Sequence, residues 1–219
     1  MKNRNRIVAL LIAVVMVMML AAGCGPKKPT ADDAKAYVQA VMDLVCTGDY
    51  DHSVNLVDIE EGGESEIREA IIQEIRNQVS ASGLSEETGA AFEAFILKCF
   101  TKAKYQITDA VESEDGGFDV TVEIEPLDAY AGYEKILDEM EIEDTGYTLE
   151  ELQAMTETEV NDIVLTTLIK ILTDNLDNPT YKDPVQIPVH YGLMDEENNI
   201  YGVSEEEGTV LGSYLFAIN

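Results

Sequence analysis

The chain has 219 residues and is strongly acidic, with 43 Asp and Glu against 14 Lys and Arg, and a formal net charge of −29. Nucleic-acid binding requires clustered Lys or Arg, so this balance excludes a nucleic-acid partner and disfavours a domain lying flat on anionic lipid. Hydrophobic residues make up 46% of the sequence, which suits a packed core and excludes a disordered chain. The acids are spread through every segment, which favours a solvated surface over a preference for cationic or divalent partners.

The first two dozen residues have the layout of a secretory leader. Lys2, Arg4 and Arg6 precede an uninterrupted apolar run of 16 residues, from residue 7 to residue 22. A membrane-spanning helix needs about 20 apolar residues, so this run is short for a permanent span. We therefore predict a signal peptide over residues 1–23. Its removal changes the net charge from −29 to −32, because the leader carries three basic residues and no acid.

The leader ends in small residues followed by a cysteine. The last four residues of this stretch, Ala21 to Cys24, resemble the lipobox of bacterial lipoproteins, with Ala21 where that family usually has Leu and Leu20 one position earlier. The resemblance implies cleavage before Cys24, a diacylglycerol thioether on its thiol, and a further acyl chain such as palmitate on its new amine. Two or more acyl chains hold a protein durably at a membrane. The alternative is an ordinary cleaved signal, or an uncleaved anchor, with Cys24 incidental.

The next segments predict a tether and three helices. Residues 24–30 contain Pro26 and Pro29, which exclude regular structure, so we expect a lipidated tether there and a single domain over residues 31–219. A capping box at Thr30 starts the first helix, which ends at Gly48 and precedes a short helix through Val57. Apolar residues at helical spacing predict a second helix over residues 67–79 and a third that begins at residue 85.

The hydrophobic pattern then changes to strict alternation. Phe118, Val120, Val122 and Ile124 alternate with polar residues, and an acidic turn over residues 112–117 separates them from a similar stretch. This pattern predicts a β-hairpin with one buried and one exposed face. Pro126 ends it.

The last part of the chain predicts two more helices, a second hairpin and a terminal helix. A helix starts at Leu127, and one long helix runs from a capping box at Thr148 to about residue 176. A strand covers residues 185–191, where Pro184 and Pro188 indicate an edge position or a distorted pairing. A short strand follows at residues 200–203. The tail from residue 204 fits a helix and also alternates as a strand would, and we predict a helix.

Helices and strands are segregated along the chain. This order predicts the α+β class, with an antiparallel sheet of about four strands packed against several helices.

A turn after the first helix carries a resemblance to a known fold. Residues 36–38 and the turn Thr47-Gly48-Asp49-Tyr50-Asp51 resemble the opening of NTF2-like and cystatin-like domains, in which a first helix ends at a Gly-Asp-aromatic-Asp turn. The strand at residues 117–125 and the aromatic turn at residues 198–201 fit the same layout. The chain is also similar to uncharacterised lipoproteins of Gram-positive bacteria. The resemblance implies an NTF2-like or cystatin-like fold with a helical insertion over residues 127–176, and it assigns no catalytic residue.

The candidate catalytic and metal-binding residues are few. His52 lies beside Asp49 and Asp51, but no nucleophile or orienting partner is identifiable, so we interpret it as a surface residue near a helix start. His190 falls on the polar face of a strand and is expected to be exposed. The acidic stretches at residues 49–51 and 141–146 lack the ligand spacing of an EF-hand, and we predict no metal site, no cofactor and no catalytic residue.

The two cysteines after Cys24 lie in apolar helical surroundings. Outside the cytoplasm Cys46 and Cys99 could form a disulfide, or they could be small buried thiols, and their spacing does not decide between the two.

Several tyrosines could line a pocket between the helices and the sheet. The alternative, which we favour, is that they fill the core with their hydroxyl groups at its rim. These tyrosines are Tyr105, Tyr130, Tyr133, Tyr191, Tyr201 and Tyr214.

The sequence favours a binding or interaction module outside the cytoplasm, held at the cell membrane by lipid on Cys24. Its ligand would be a small molecule, an envelope polymer or a protein. One alternative is an envelope hydrolase that uses paired carboxylates, which a cleft holding two acids of raised pKa would favour. Another is a structural or assembly factor of the envelope.

Overall fold

Strands and helices are segregated along the chain in the computed structural model, which describes residues 23–24, 28–49, 64–197 and 199–217. The strands are β1 (Gly23–Cys24), β2 (Lys104–Glu112), β3 (Phe118–Glu125), β4 (Val185–Asp195) and β5 (Ile200–Val203). The α-helices are α1 (Ala31–Cys46), α2 (Glu64–Ala81), α3 (Glu86–Thr101), α4 (Tyr133–Glu139), α5 (Leu149–Ala154), α6 (Glu157–Asn175) and α7 (Glu205–Leu215). A 3-10 helix covers Ile142–Thr145. The predicted α+β class is confirmed.

The four longer strands form an antiparallel sheet in the order β5-β4-β3-β2, and the two-residue β1 extends it beyond β5. The predicted hairpin is confirmed as β2 and β3, with an irregularity in the register between Ile107 and Asp109. Side chains of β3 alternate as expected, with Phe118, Val120 and Val122 buried. Helix α1 packs on β2 and β3, and α7 packs on β3 and β4. The core therefore lies between the sheet and the helices.

The position of β4 accounts for its prolines. Pro188 faces Thr121 of β3, whereas β5 pairs only with the later part of β4, from Tyr191 to Asp195. The first half of β4 is therefore an edge on the side away from β3. Proline is tolerated at an edge because no strand on that side requires a hydrogen bond from its backbone nitrogen. The prediction of an edge position is confirmed.

The predicted single helix after Thr148 is wrong, because the chain forms two helices there. Met155 is extended at ψ 162°, and the next residue, Thr156, accepts a hydrogen bond from the backbone N–H of Glu159. Glu159 in turn accepts from the backbone N–H of Thr156, which completes a capping box. A second helix start thus lies only eight residues after the first, and it divides α5 from α6.

The predicted helix from Leu127 is also wrong in its start. The backbone N–H of Leu127 donates to the carbonyl of Leu215 at 2.8 Å, and Leu127 forms an isolated bridge with Tyr181. Gly132 at φ 74° then occupies the N-cap of α4. These contacts hold Leu127 in an extended, non-helical position, and α4 begins six residues later at Tyr133.

The other predicted helices are confirmed. Thr30 caps α1 with a complete capping box, Ser85 caps α3, and the tail forms α7. Residues 1–22 of the predicted leader, residues 25–27 of the predicted tether and the short helix through Val57 lie outside the described residues. Within the described ranges, no helix is both long and apolar enough to cross a membrane.

Candidate functional site

The titratable side chains that converge most closely on the outer face of the sheet are Asp115, Asp119 and His190. Asp119 of β3 lies directly opposite His190 of β4. The imidazole Nδ1 lies 3.0 Å from Asp119 Oδ1, and its Nε2 lies 2.9 Å from Asp115 Oδ2. The side chains of His190, Asp115 and Asp119 are 35%, 59% and 55% exposed, so this cluster is accessible to solvent.

The turn between β2 and β3 holds Asp115 in place. The Ser113 hydroxyl donates to Asp115 Oδ1, and the backbone N–H of Gly117 donates to the same oxygen at 3.0 Å. A Cβ atom on Gly117 would lie 2.5 Å from the carbonyl oxygen of Tyr191. Only glycine therefore fits where the turn approaches β4, and this close approach brings Asp115 to the imidazole.

The electrostatics of the cluster favour a charged imidazole. Hydrogen bonding to Asp119, together with the charges of both carboxylates, raises the pKa of His190. Hydrogen bonds from Ser113 and Gly117, together with His190, lower the pKa of Asp115 to about 2. Both ring nitrogens then donate to carboxylates, which leaves neither nitrogen able to act as a base. Ser113 bonds to Asp115 and not to the imidazole, so the cluster joins the turn to β4 and does not form a nucleophilic site.

His190 lies on the polar face of its strand, as predicted, although its two carboxylate partners shield it in part. The backbone of Cys24 pairs with Ile200 of β5. His52 and Asp51 lie outside the described residues. The sequence offered no signal for the cluster, because its members are 71 and 75 residues apart in the chain.

Cys46 and Cys99 are both free thiols and both buried. Burial raises the pKa of Cys46 to about 12, with a smaller effect from the charge of Asp43, and burial also raises the pKa of Cys99. Such thiols behave as small apolar groups rather than as nucleophiles.

The tyrosines singled out in the sequence take part in separate contacts. The Tyr105 hydroxyl donates to Asp43 Oδ1 at 2.7 Å, which joins β2 to α1. Tyr191 contacts the ring of Tyr201 at 5.9 Å between centroids. The Tyr130 hydroxyl is buried without a hydrogen-bond partner in the described part of the chain. These contacts agree with tyrosines that pack against the core.

The acidic stretch at residues 141–146 forms the 3-10 helix. Asp144 Oδ2 accepts from the backbone N–H of Glu141 at 2.9 Å, so this carboxylate caps the turn. Among the residues that the structure describes, no group of three or more His, Cys, Asp or Glu side chains could hold a metal ion.

The carboxyl pKa shifts seen in the described ranges are all downward. Hydrogen bonds at helix caps lower the pKa of Asp33, Glu151 and Glu159, and the Lys98 ammonium lowers that of Asp177. A hydrolase that uses paired carboxylates needs one acid of raised pKa as a proton donor. None of the carboxyl groups named in this paragraph has a raised pKa.

A pocket lies where α6 ends, between the loop that follows it and the turn before α4. Its volume is about 300 Å³, within the lower range of small-molecule sites. The lining residues are Asp128, Ala129, Ala131, Leu172, Asp174, Asn175, Leu176, Asn178, Pro179 and Thr180. In the sequence, Asp177-Asn178-Pro179 marked only the end of a helix, so sequence reasoning missed this site.

No protein-family model matches the chain, and no curated protein matches it. Among solved structures, the chain is similar to the "putative lipoprotein (ycdA)" of Bacillus subtilis, with a TM-score of 0.56 and 13% sequence identity. The match covers 85% of this chain and 56% of the B. subtilis chain, so the present chain spans little more than half the length of that protein. At this identity, the likeness shows a shared fold.

Proposed function

We propose that the chain is an extracytoplasmic lipoprotein, anchored to the cell membrane through Cys24, whose α+β domain acts as a binding module. The observation that carries the proposal is the lipobox at Cys24, placed directly before the folded domain. The Thr30 cap that starts α1 follows Cys24 by only six residues. Even a fully extended segment of this length would span only about 20 Å, and the backbone of Cys24 itself pairs with Ile200 of β5. The lipid would therefore hold the domain close to the membrane surface. The fold shared with a B. subtilis protein described as a lipoprotein supports the proposal.

The binding role is supported by two features of the domain. The helices cover one face of the sheet, and the outer face presents polar side chains. The pocket at the end of α6 offers a concave site of small-molecule size. We further propose that the domain is NTF2-like or cystatin-like, because α1 to α3 precede an antiparallel sheet and the α4–α6 region is inserted between its hairpins.

A role as an assembly factor is the second candidate. Among the described residues, four of the eight exposed large hydrophobic side chains fall within one stretch of thirteen residues, namely Leu137, Ile142, Tyr147 and Leu149. Exposed apolar side chains that form one contiguous patch are typical of protein–protein contact surfaces, and closeness along the chain makes such a patch our proposal here. Co-purification of one stoichiometric protein partner, lost on changing Leu149→Lys, would favour this role.

Anchoring is tested by comparing the wild-type chain with Cys24→Ser in membrane and soluble fractions. The wild-type product should begin at Cys24, carry the mass of its acyl groups and stay in the membrane fraction, whereas Cys24→Ser should carry no lipid. Cys46→Ser is the matched control, since the Cys46 thiol is buried and its loss should leave anchoring unchanged. An unmodified Cys24, or an intact leader on the native product, would refute anchoring.

Binding is tested by a thermal-shift screen against envelope fragments, peptides, metals and metabolites. A ligand that binds only the folded chain raises its unfolding temperature by mass action, so even a modest binder is detected. Absence of any stabilising compound, combined with a stable protein partner, would replace the binding module with the assembly role.

A further inference from the structure

We propose that the pocket at the end of α6 binds a small organic ammonium cation that carries a short apolar chain. This inference rests on the proposed binding function and names the class of its ligand. The cation would sit between the carboxylates of Asp128 and Asp174, and its apolar part would contact Ala131 and Pro179.

Backbone hydrogen bonds fix the walls of the pocket. The N–H of Asp128 donates to the carbonyl of Thr180 at 2.9 Å, and Lys182 donates in the same way to Pro126. On the other wall, two turns follow the end of α6. The backbone N–H of Asp177 donates to the carbonyl of Asp174, and the backbone N–H of Asn178 donates to the carbonyl of Asn175. The pocket is therefore formed before a ligand binds, which reduces the entropy cost of binding.

The charges of the pocket are negative and uncompensated. Asp128 and Asp174 are among the lining residues, and neither carboxylate makes a side-chain hydrogen bond or ion pair in the part of the chain that the structure describes. Their neighbour Asp177 differs, because Lys98 neutralises it at 2.8 Å. The last turn of α6 has no basic residue, so the negative pole of the helix adds to the field of the two acids.

The floor of the pocket is apolar. Ala129, Leu172 and Leu176 are almost fully buried beneath the pocket. Ala131 and Pro179 also line it and are partly exposed, so a chain of a few methylene groups could pack on these two residues. A divalent metal ion fits less well, because the pocket has only two carboxylates and no group of three or more His, Cys, Asp or Glu side chains among the described residues could hold a metal ion. An ammonium group needs only a few acceptors for its N–H donors, and the alkyl chain adds hydrophobic contact.

The test is a titration of the full chain, purified in detergent, with pentylamine, monitored by calorimetry and by amide NMR shifts. We expect saturable binding with a Kd near or below about 1 mM. The NMR shifts should be confined to residues 128–131 and 172–180. Pentanol and glutarate, which share the chain length without the ammonium charge, should not bind.

Three variants separate the pocket from general charge attraction. Asp128→Asn and Asp174→Asn keep the side-chain shape and should each weaken binding about tenfold, which is about 1.4 kcal/mol. Ala131→Leu reduces the cavity while retaining both charges, and should weaken binding similarly. Asp138→Asn is the matched control, because it removes an exposed acid of α4 that does not line the pocket, and should leave the Kd unchanged.

The proposal is overturned if pentylamine does not saturate by about 10 mM, or if Asp128→Asn and Asp138→Asn have the same effect. It is also overturned if Ca²⁺ binds in the same pocket with the same dependence on the two acids. A different ligand found by thermal shift, whose effect survives Asp128→Asn, would refute the ammonium site while the binding module stands. Failure of the Cys24 test would refute anchoring and leave the pocket result unaffected.

Discussion

A buried cluster of hydroxyl groups should make Thr88 one of the most sensitive polar positions in the fold. Thr88 is 0% exposed, and its hydroxyl lies 2.6 Å from Thr166 Oγ1 and 2.7 Å from Asp162 Oδ1. The hydroxyl of Ser85 lies 3.0 Å away. These contacts join the start of α3 to α6. Thr88→Val keeps the shape of the side chain and removes all of these hydrogen bonds.

The expected loss of stability depends on Asp162, whose carboxylate loses the hydrogen bond from the Thr88 hydroxyl. A hydrogen bond to a charged group contributes about 1.5–3 kcal/mol, and Thr88→Val removes one from Asp162. Water reaches the half-buried Asp162 in part, and Thr166 keeps its hydrogen bond to the Asp162 carbonyl at 2.9 Å. We therefore expect a loss of about 2 kcal/mol in the free energy of unfolding. For a domain of this size, this loss corresponds to a decrease in Tm of about 4–8 °C.

The neighbouring residue on α6 supplies the control. Thr167 is also buried, at 8% exposed, but within the described residues its hydroxyl bonds only to the carbonyl of Ile163 in the preceding turn. Thr167→Val should therefore change the free energy of unfolding by less than about 0.5 kcal/mol. Urea unfolding measures both variants, with equal m-values as the condition for comparing them. If Thr88→Val proved no more destabilising than Thr167→Val, the hydroxyl cluster would not join the two helices as we have argued.

Three further predictions concern the His190 cluster and the thiols. Because the pKa of His190 is raised in the folded chain above its ordinary value of 6.5, its stabilising contribution is complete below that value and is lost as pH rises through the folded pKa. The Tm difference between wild type and His190→Gln should therefore be larger at about pH 5.5 than at about pH 9, and equal differences would refute the interaction. Gly192→Ala should reduce the same pH dependence, because its Cβ would lie 2.5 Å from His190 Nε2 and displace the ring from Asp115. In native Cys24→Ser chains, burial should keep Cys46 and Cys99 from reacting with iodoacetamide, whereas both should react in urea. Intact mass measures the alkylation, and rapid alkylation of the native chain would contradict the burial of these thiols.

The parts of the fold that the sequence predicted are those set by local rules. The alternation along β3 fixed which side chains face the core, because the period of a strand is two residues. Thr30 and Thr148 marked helix starts because each is followed three residues later by an acid. In such a pair the Thr hydroxyl accepts from the backbone N–H of the acid, and the acid side chain accepts from the backbone N–H of the Thr. These signals depend on neighbours within a few residues, so they can be read without the tertiary structure.

The parts that the sequence did not predict depend on distant contacts or on competing local signals. The break between α5 and α6 is local, but the apolar period continues across Met155 and hides the second cap at Thr156. The start of α4 is delayed because Leu127 bonds to Leu215, which is distant in sequence. The pairing of Asp115 with His190 and the pocket at the end of α6 also require the assembled tertiary structure, so no pattern along the chain could indicate them.

The structure also relates the acidic excess to the two ends of the helices. The first turns of α1, α3, α5, α6 and α7 contain acids, which stabilise the positive poles of these helices. Within the part of the chain that the structure describes, the last turns of these helices have no basic residue except Lys98 of α3, which pairs with Asp177. The positive poles are therefore compensated and the negative poles mostly are not. The end of α6 combines such a pole with two further carboxylates and an apolar floor. A cation drawn by the net negative charge would therefore find complementary charge and shape together in this pocket.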